Sequence, residues 1–396
     1  MDVSEVLIYL VAFVLLYSVV FLVLLYLKNW NKIKEGRKLS TNWEPVISIL
    51  VPAYNEGKHL HKCLDSLLAL DYPRNKLEII VINDGSIDNT AKVVEEYSKN
   101  GVKLINKKNS GKAASLNYAI PKAKGELIAT MDADSYATPD VIRKLLPSFE
   151  EKEVMAATPA VKVLSDSHIV KEIQRIEYLL ILLSRRLFSF LDAVSVTPGP
   201  FSMFRAKVFK ELGGFDEQTI VEDHEMALRI QKNNYKIRSS IDAVVYTEVP
   251  ASLRGLVNQR VRWHRGGMHN LYKYREMISP KYGDFGMFVI PILCLAPVLA
   301  LLIVLTLSVI SFINQPLYFD KIGLDVLILS IKPLTGVLLL LFVVSMIWIY
   351  LSIRAFKGEK ANFFSMVFYI FIYWYIAIAY NLITIVKELK REKLSW

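Results

Sequence analysis

Leu127-Ile128-Ala129-Thr130-Met131-Asp132-Ala133-Asp134 passes from a nearly continuous apolar run into two carboxylates. A run without polar alternation reads as a strand buried on both faces, the habit of parallel sheets covered by helices. The two aspartates then stand at the strand's carboxyl end, where open α/β sheets bind ligands. An isolated D-x-D reads as a solvated turn; at the end of a buried parallel strand it reads as a site.

The same pattern recurs on either side. Residues 46–51 are a β-type run followed by Tyr54-Asn55-Glu56, residues 77–82 a second followed by Asn83-Asp84-Gly85-Ser86, and residues 102–105 a third. Helical periodicity separates them: Leu60, Leu64, Leu67 and Leu68, then 90–99, 110–123, and 139–149 opened by Pro139, a residue suited to the first helical turn. Strands alternating with helices predict an α/β domain on a parallel sheet. Three acidic sites then share one sheet edge. No G-x-x-x-x-G-K-[ST] is present, nor a G-x-G-x-x-G after a strand, so a P-loop ATPase and a dinucleotide enzyme lack their phosphate cradle.

The 396 residues are 53% hydrophobic and 22% charged, with a net charge of +10. That apolar share exceeds the ~45–50% of ordinary globular chains. Charge-free runs at 6–27, 285–319, 333–353 and 361–386 are each long enough for the ~20 residues that cross a bilayer. A wholly soluble, a disordered and a fibrous protein are thereby excluded. The expected organisation is an anchor at 6–27, a catalytic-type domain at 45–250, an interfacial region at 251–282, and spans at 285–313, 330–353 and 361–386.

The first run is too long for a cleaved leader, and Asp2 and Glu5 stand where a basic region belongs. Lys28, Lys32, Lys34, Arg37 and Lys38 follow it and place the domain on the cytoplasmic side of the cell membrane, in a multi-pass chain. Four crossings leave 387–396 on the far side, although Lys387, Lys390, Arg391 and Lys393 favour the near one. Juxtamembrane lysines facing anionic lipid account for the basic excess, and acidic strand ends argue against nucleic acid. Spans nearly free of ionisable residues argue against a transporter. Cys63 and Cys294 make no disulfide framework and suggest a reducing compartment.

Asp132 and Asp134, joined by a diphosphate, suit Mg²⁺ or Mn²⁺. Asp84 is either a turn before the next helix or an acceptor for a base or ribose. Glu222-Asp223 precede a helical stretch at 224–231, which makes Asp223 either a helix-dipole charge or a general base; His224 beside it reads as a surface residue. Gln259-Arg260-Val261-Arg262-Trp263 lies on a segment whose Leu253, Leu256, Val257, Val261 and Met268 share one helical face, an interfacial pattern. Its arginines either touch headgroups or hold a leaving diphosphate. The apolar stretch 169–190 reads equally as a membrane-surface element and as core.

Val51-Pro52-Ala53-Tyr54-Asn55-Glu56, Asn83-Asp84-Gly85-Ser86, Gly111-Lys112-Ala113, Asp132-Ala133-Asp134, Glu222-Asp223 and Gln259-Arg260-Val261-Arg262-Trp263 occur in the order of the membrane-bound family 2 glycosyltransferases. These are the synthases of hyaluronan, chitin, cellulose and poly-N-acetylglucosamine. The resemblance covers about 45–267. Gly199-Pro200-Phe201-Ser202-Met203-Phe204-Arg205 resembles a segment of the hyaluronan and chito-oligosaccharide synthases, and 259–267 is more similar to poly-N-acetylglucosamine synthase.

The resemblance implies a GT-A (Rossmann-like) domain and inverting transfer from a nucleotide sugar, UDP-N-acetylglucosamine or another UDP-hexose, to a growing saccharide. Asn55, Glu56 and Asp84 would hold the nucleoside, Lys112 the diphosphate region, and Asp132 and Asp134 the nucleotide and its Mg²⁺ or Mn²⁺. Asp223 would take the acceptor proton. Gln259, Arg260 and Arg262 would hold the diphosphate, and Trp263, with Glu222, would serve the acceptor. Val221 replaces the usual threonine, and no counterpart of the cellulose synthase gating loop is evident. About four spans leave a single-chain export channel in doubt. The rival within enzymes is single-sugar transfer to a membrane lipid. Oligomeric state is left open.

Overall fold

The computed structural model describes residues 3–34, 43–164, 168–295, 333–360 and 362–393. Its centre is an eight-stranded sheet of order β3-β2-β1-β4-β7-β6-β8-β5. The β-type runs form β1 (Ile47–Ala53), β2 (Leu77–Asp84), β3 (Val102–Lys107) and β4 (Leu127–Thr130), all parallel. Four further strands were not legible as runs: β5 (Ser135–Ala137), β6 (Val154–Val163), β7 (Met203–Arg205) and β8 (Lys236–Thr247).

The expected all-parallel sheet is corrected here to a mixed one. β7 runs antiparallel to both β4 and β6, and β5 runs antiparallel to β8, while β6 and β8 are parallel. β5 and β7 have three residues each, too few for a periodic signal.

Side-chain alternation along β1 builds two cores. Ile47, Ile49, Val51 and Ala53 pack with the helix Leu60–Leu68 and with Val141, Ile142 and Leu145. Leu50 points to the other face, with Leu116 of the helix Lys112–Ala119, Phe209 of Ala206–Leu212, and Met226 and Ile230 of Glu222–Lys232. Leu60, Leu64 and Leu67 are fully buried, and burial of such a side chain contributes about 1.5–3 kcal/mol. Pro139 does not open its helix. That helix is Val141–Leu145, continued as a 3₁₀ turn at Leu146–Glu150 where Pro147 lacks an amide hydrogen.

A third layer lies on the far side of the second half-sheet. The stretch left ambiguous in the sequence is the helix Ile169–Ser189. Its Ile173, Ile176, Leu179 and Leu183 pack with Tyr26 and Ile33 near the chain's start and with Trp348, Ile353, Tyr369 and Tyr380 near its end. The expected spans at 6–27, 330–353 and 361–386 correspond to the helices Val3–Lys28, Pro333–Ala355 and Phe363–Leu389. Of 285–313, residues 285–295 are helical and begin with a π-helical turn, Phe285–Val289; the remainder lies outside the described residues, as do Arg37 and Lys38. Among the described residues one helix, Phe363–Leu389, is both long and apolar enough to cross a membrane. The helix Leu253–Lys273 buries Leu256 and Val261, but Leu253 and Met268, expected on the same face, are exposed.

Candidate active site

The carboxyl ends of β1, β2 and β4 form the floor. After β1 the chain turns through Asn55 at φ +57°, a left-handed conformation that asparagine tolerates. There its amide donates to Ser86 Oγ (3.0 Å), and its Oδ1 accepts from the Ile87 amide (2.9 Å). The Glu56 amide donates to Thr90 Oγ1 (2.9 Å) and the Gly57 amide to Asp88 (3.0 Å). Two strand-end loops are thus laced into one cradle. The Glu56 carboxylate remains on the open side, paired with His59 Nδ1 at 3.2 Å.

Asp84 is buried, and its oxygens are spoken for inside the protein. Oδ1 accepts from Lys107 Nζ (2.6 Å) and the Ser110 amide (3.0 Å), and Oδ2 from the Gly111 amide (2.8 Å). Through these bonds Asp84 shapes the loop that leads into Lys112.

At β4 three distant segments converge. Lys112, the first residue of its helix, has its ammonium 2.6 Å from Asp132 and 3.2 Å from Glu222. Burial opposes that charge, but Asp132 and Glu222 outweigh it and hold the ammonium above its ordinary range. Gly199 is wedged against this pair. A Cβ there would lie 2.4 Å from Lys112 Nζ and 2.5 and 2.6 Å from the Asp132 oxygens, so any side chain at 199 would have to displace the pair. Thr130 Oγ1 fastens the Gly199 carbonyl at 3.1 Å.

Asp134 sits deeper. Burial first, then Asp132 and Glu56, push its carboxyl up to about 6, and the Ser135 hydroxyl donates to it at 3.1 Å. Among the described residues no group of three His, Cys, Asp or Glu side chains is placed to hold a metal by itself.

The helix Glu222–Lys232 starts at Glu222 itself, so Glu222 and Asp223 occupy its first turn. The His224 amide donates to Asp223 Oδ1 (2.8 Å), and Thr197 anchors the Asp223 carbonyl with its hydroxyl (2.9 Å). Burial, then Glu222, push the Asp223 carboxyl up to about 6 against the pull of Lys112. His224 is not a surface residue: it is buried, and burial lowers its imidazole to about 4. It is neutral at physiological pH.

The helix Leu253–Lys273 separates the two arginines that the sequence reading groups together. Residues two apart point to different sides of a helix. Arg260 is 1% exposed. It faces Glu177 in a bidentate pair at 2.8 and 2.5 Å, and gives its third nitrogen to Gln259 Oε1 at 2.6 Å. Tyr373 donates to the same Glu177 at 2.5 Å. Arg260, expected at the diphosphate, is thus paired with Glu177 and Gln259 inside the helix layer. Arg262 is half-buried on another side of the helix. The Arg260 guanidinium lies 4.2 Å from the Trp263 ring centre, and Tyr178 tilts against Trp263 at 6.3 Å.

One residue escaped the sequence reading. Arg185 stands two helical turns after Tyr178, within electrostatic reach of both Asp223 and Tyr178. Its Nη1 is buried without a hydrogen-bond partner among the described residues. Burial lowers its guanidinium to about 10, against the pull of Asp223.

The sequence family described as "Glycosyl transferase family 2" matches residues 48–213. Poly-beta-1,6-N-acetyl-D-glucosamine synthase of Staphylococcus epidermidis is 30% identical over 356 residues, 88% of this chain and 84% of that protein. The enzyme of the same name from Staphylococcus aureus (strain COL) is 28% identical over 353 residues, with the same coverage. Among solved structures, the mannosyltransferase PcManGT from Pyrobaculum calidifontis, in complex with GDP-Man and Mn²⁺, superposes with a TM-score of 0.65 at 21% identity, covering 97% of this chain and 99% of that one. The likeness to that structure supports a GT-A-like α/β fold on a mixed sheet. Identity of 30% over 88% of the chain carries the assignment further: this chain belongs to the family 2 glycosyltransferases and is a nucleotide-sugar-dependent transferase.

Proposed function

We propose that the protein is a membrane-bound polysaccharide synthase that extends a β-linked saccharide from a UDP-sugar, with UDP-N-acetylglucosamine as donor. The observation that carries this reading is the convergence of Lys112, Asp132, Glu222 and Asp223 at one sheet edge. The similarity to poly-N-acetylglucosamine synthases over 88% of the chain supports the choice of sugar.

In this reading the acceptor hydroxyl attacks the anomeric carbon as its bond to the diphosphate oxygen breaks. Asp223 takes the hydroxyl proton, and UDP leaves with the bonding electrons. A carboxyl lifted to about 6 by burial is ionised at neutral pH yet basic enough for the task. Asn55, Glu56 and the Asp84-ordered loop frame the nucleoside; Lys112, Gln259 and Arg262 meet the diphosphate; Glu222 and Trp263 face the acceptor. The leaving group gains its negative charge where preorganised cations stabilise it most.

A divalent cation, Mg²⁺ or Mn²⁺, fits Asp132 and Asp134. Asp134 is crowded by Asp132 and Glu56, and a cation would relieve that repulsion. With no group of three such ligands among the described residues, the donor diphosphate would complete the shell, as suits a metal that keeps few protein ligands. When bound, it would neutralise diphosphate charge.

The testing experiment incubates membranes with radiolabelled UDP-sugars one at a time and sizes the products after lipid extraction. Chains of several sugars from UDP-N-acetylglucosamine are expected. Label found only as one sugar per extractable lipid would replace this reading with single transfer to a membrane lipid.

A further inference from the structure

We infer that the helix Phe363–Leu389, long and apolar enough to cross a bilayer, instead lies flat in the leaflet that faces the catalytic domain. It straps the Leu253–Lys273 helix down. The inference rests on the membrane-enzyme reading above.

Both ends of the helix are tied to the same folded unit. Just before its start, Glu359 pairs with Arg175 (2.5 Å) and Lys162 (3.1 Å), and Lys162 also donates to the Lys357 carbonyl (3.1 Å). Lys162 belongs to β6 and Arg175 to the helix Ile169–Ser189. At its other end Glu388 accepts from Arg265 Nε (2.6 Å) and pairs with His269 (3.0 Å), while Arg265 also donates to the Glu392 carbonyl (2.6 Å). The helix bearing Arg265 and His269 continues to Asn270, which bonds Thr219 and the Val221 carbonyl at 3.1 Å each, beside Asp223.

Between these ends, Tyr373 reaches Glu177 and Tyr380 lies 4.6 Å from the His264 ring. Twenty-seven residues at ~1.5 Å each span about 40 Å, more than the ~30 Å hydrocarbon core. A crossing helix would put Glu359 and Glu388 in opposite aqueous phases. Here both are bound to one water-facing domain.

The two faces fit this placement. Met366, Tyr369, Tyr373, Ile376 and Tyr380 turn toward the protein. Phe364, Phe371, Tyr375, Leu382, Val386 and Leu389 lie on the opposite side and are exposed, Phe364 by 80% and Leu389 by 78%. That stripe carries no charge, and the helices Val3–Lys28 and Pro333–Ala355 likewise expose apolar side chains, among them Phe13, Tyr17, Leu339 and Val343. Patches of this extent mark a partner. Lipid acyl chains suit it, with Lys387, Lys390 and Arg391 at headgroup level for anionic lipid.

The test uses full-length protein in sealed vesicles of known orientation, with Cys63→Ala and Cys294→Ala to clear the background. Single cysteines are placed at Lys99→Cys on the domain, at Lys360→Cys and at Lys390→Cys, then labelled with a membrane-impermeant maleimide. All three should react from the same side. Reaction of K390C only from the side opposite K99C would overturn the inference. Spin labels at Phe364→Cys, Tyr375→Cys and Leu389→Cys should report one common immersion depth; a maximum depth at position 375 would mean a crossing helix. Release of the protein by alkaline carbonate would sink the membrane reading itself, a distinguishable failure.

Discussion

Arg260 and Glu177, 83 positions apart, form a bidentate buried pair at 2.8 and 2.5 Å that joins the helix of the Gln259–Trp263 motif to the helix Ile169–Ser189. Removing one partner leaves the other charge buried and alone, a loss of about 3–5 kcal/mol. Arg260→Ala should therefore lower the melting temperature in detergent while any folded fraction keeps its affinity for UDP. Arg262→Ala should do the reverse. Equal loss of UDP affinity in both variants would return Arg260 to the diphosphate.

Asp223→Asn should abolish transfer and leave UDP binding intact, a drop of about 10²–10⁴-fold in rate. The pH profile follows from the raised carboxyl. With Asp223 near 6, the base is ionised above that value and protonated below it, so kcat should fall as pH drops through about 6. Arg185→Met removes a cation that favours the ionised form, so the acid limb should move to higher pH. An unmoved limb in R185M would dissociate Arg185 from the base.

Gly199→Ala tests how tightly the chain passes the Lys112–Asp132 pair. The new methyl would sit 2.4 Å from the ammonium nitrogen, so the pair must separate. Activity should fall at least tenfold, about 1.4 kcal/mol in transition-state terms, with the melting temperature little changed. Gly267→Ala, where a Cβ meets nothing within 4 Å, is the control on the neighbouring helix. Wild-type kinetics in G199A would show that the pair tolerates displacement.

The β1, β2 and β4 runs were readable because strands buried on both faces are predominantly apolar, Ser48 and Glu78 being isolated interruptions, and their acidic ends announced the floor of the site. β7 was not, since three residues carry no period, and its antiparallel course depends on the long excursion through the helix Ile169–Ser189. Lys112, Asp132 and Glu222 were each chosen as motif members, and the fold brings them together. The opposed directions of Arg260 and Arg262 follow from helix geometry once the segment is helical. What each arginine meets does not, because Glu177 and Tyr373 lie far off in sequence.

EDTA should stop turnover and Mg²⁺ or Mn²⁺ restore it, because diphosphate charge must be neutralised as UDP leaves. Asp134→Asn should raise the metal concentration needed for half-maximal rate, read from titrations at saturating donor. Full activity of the unaltered protein in EDTA would remove the metal from Asp132 and Asp134 and leave Lys112 and Arg262 as the neutralising groups.

Trp263 has two partners already: the Arg260 guanidinium lies 4.2 Å from its ring centre, and Tyr178 is tilted against it at 6.3 Å. These contacts fix the indole rather than use it up, since an aromatic ring has two faces. A sugar ring laid on the remaining surface would be held in an orientation set by the helix layer, and positioning of that kind is where much of the rate of a two-substrate transfer comes from. Trp263→Ala should then shorten the products, while release of UDP in the absence of acceptor continues. Trp263→Phe, which keeps a flat face on the same backbone, should recover part of the length distribution. The measurement is product sizing from radiolabelled UDP-N-acetylglucosamine across the three proteins. Unchanged chain lengths in W263A would place the acceptor elsewhere, with Arg185 the next group to substitute.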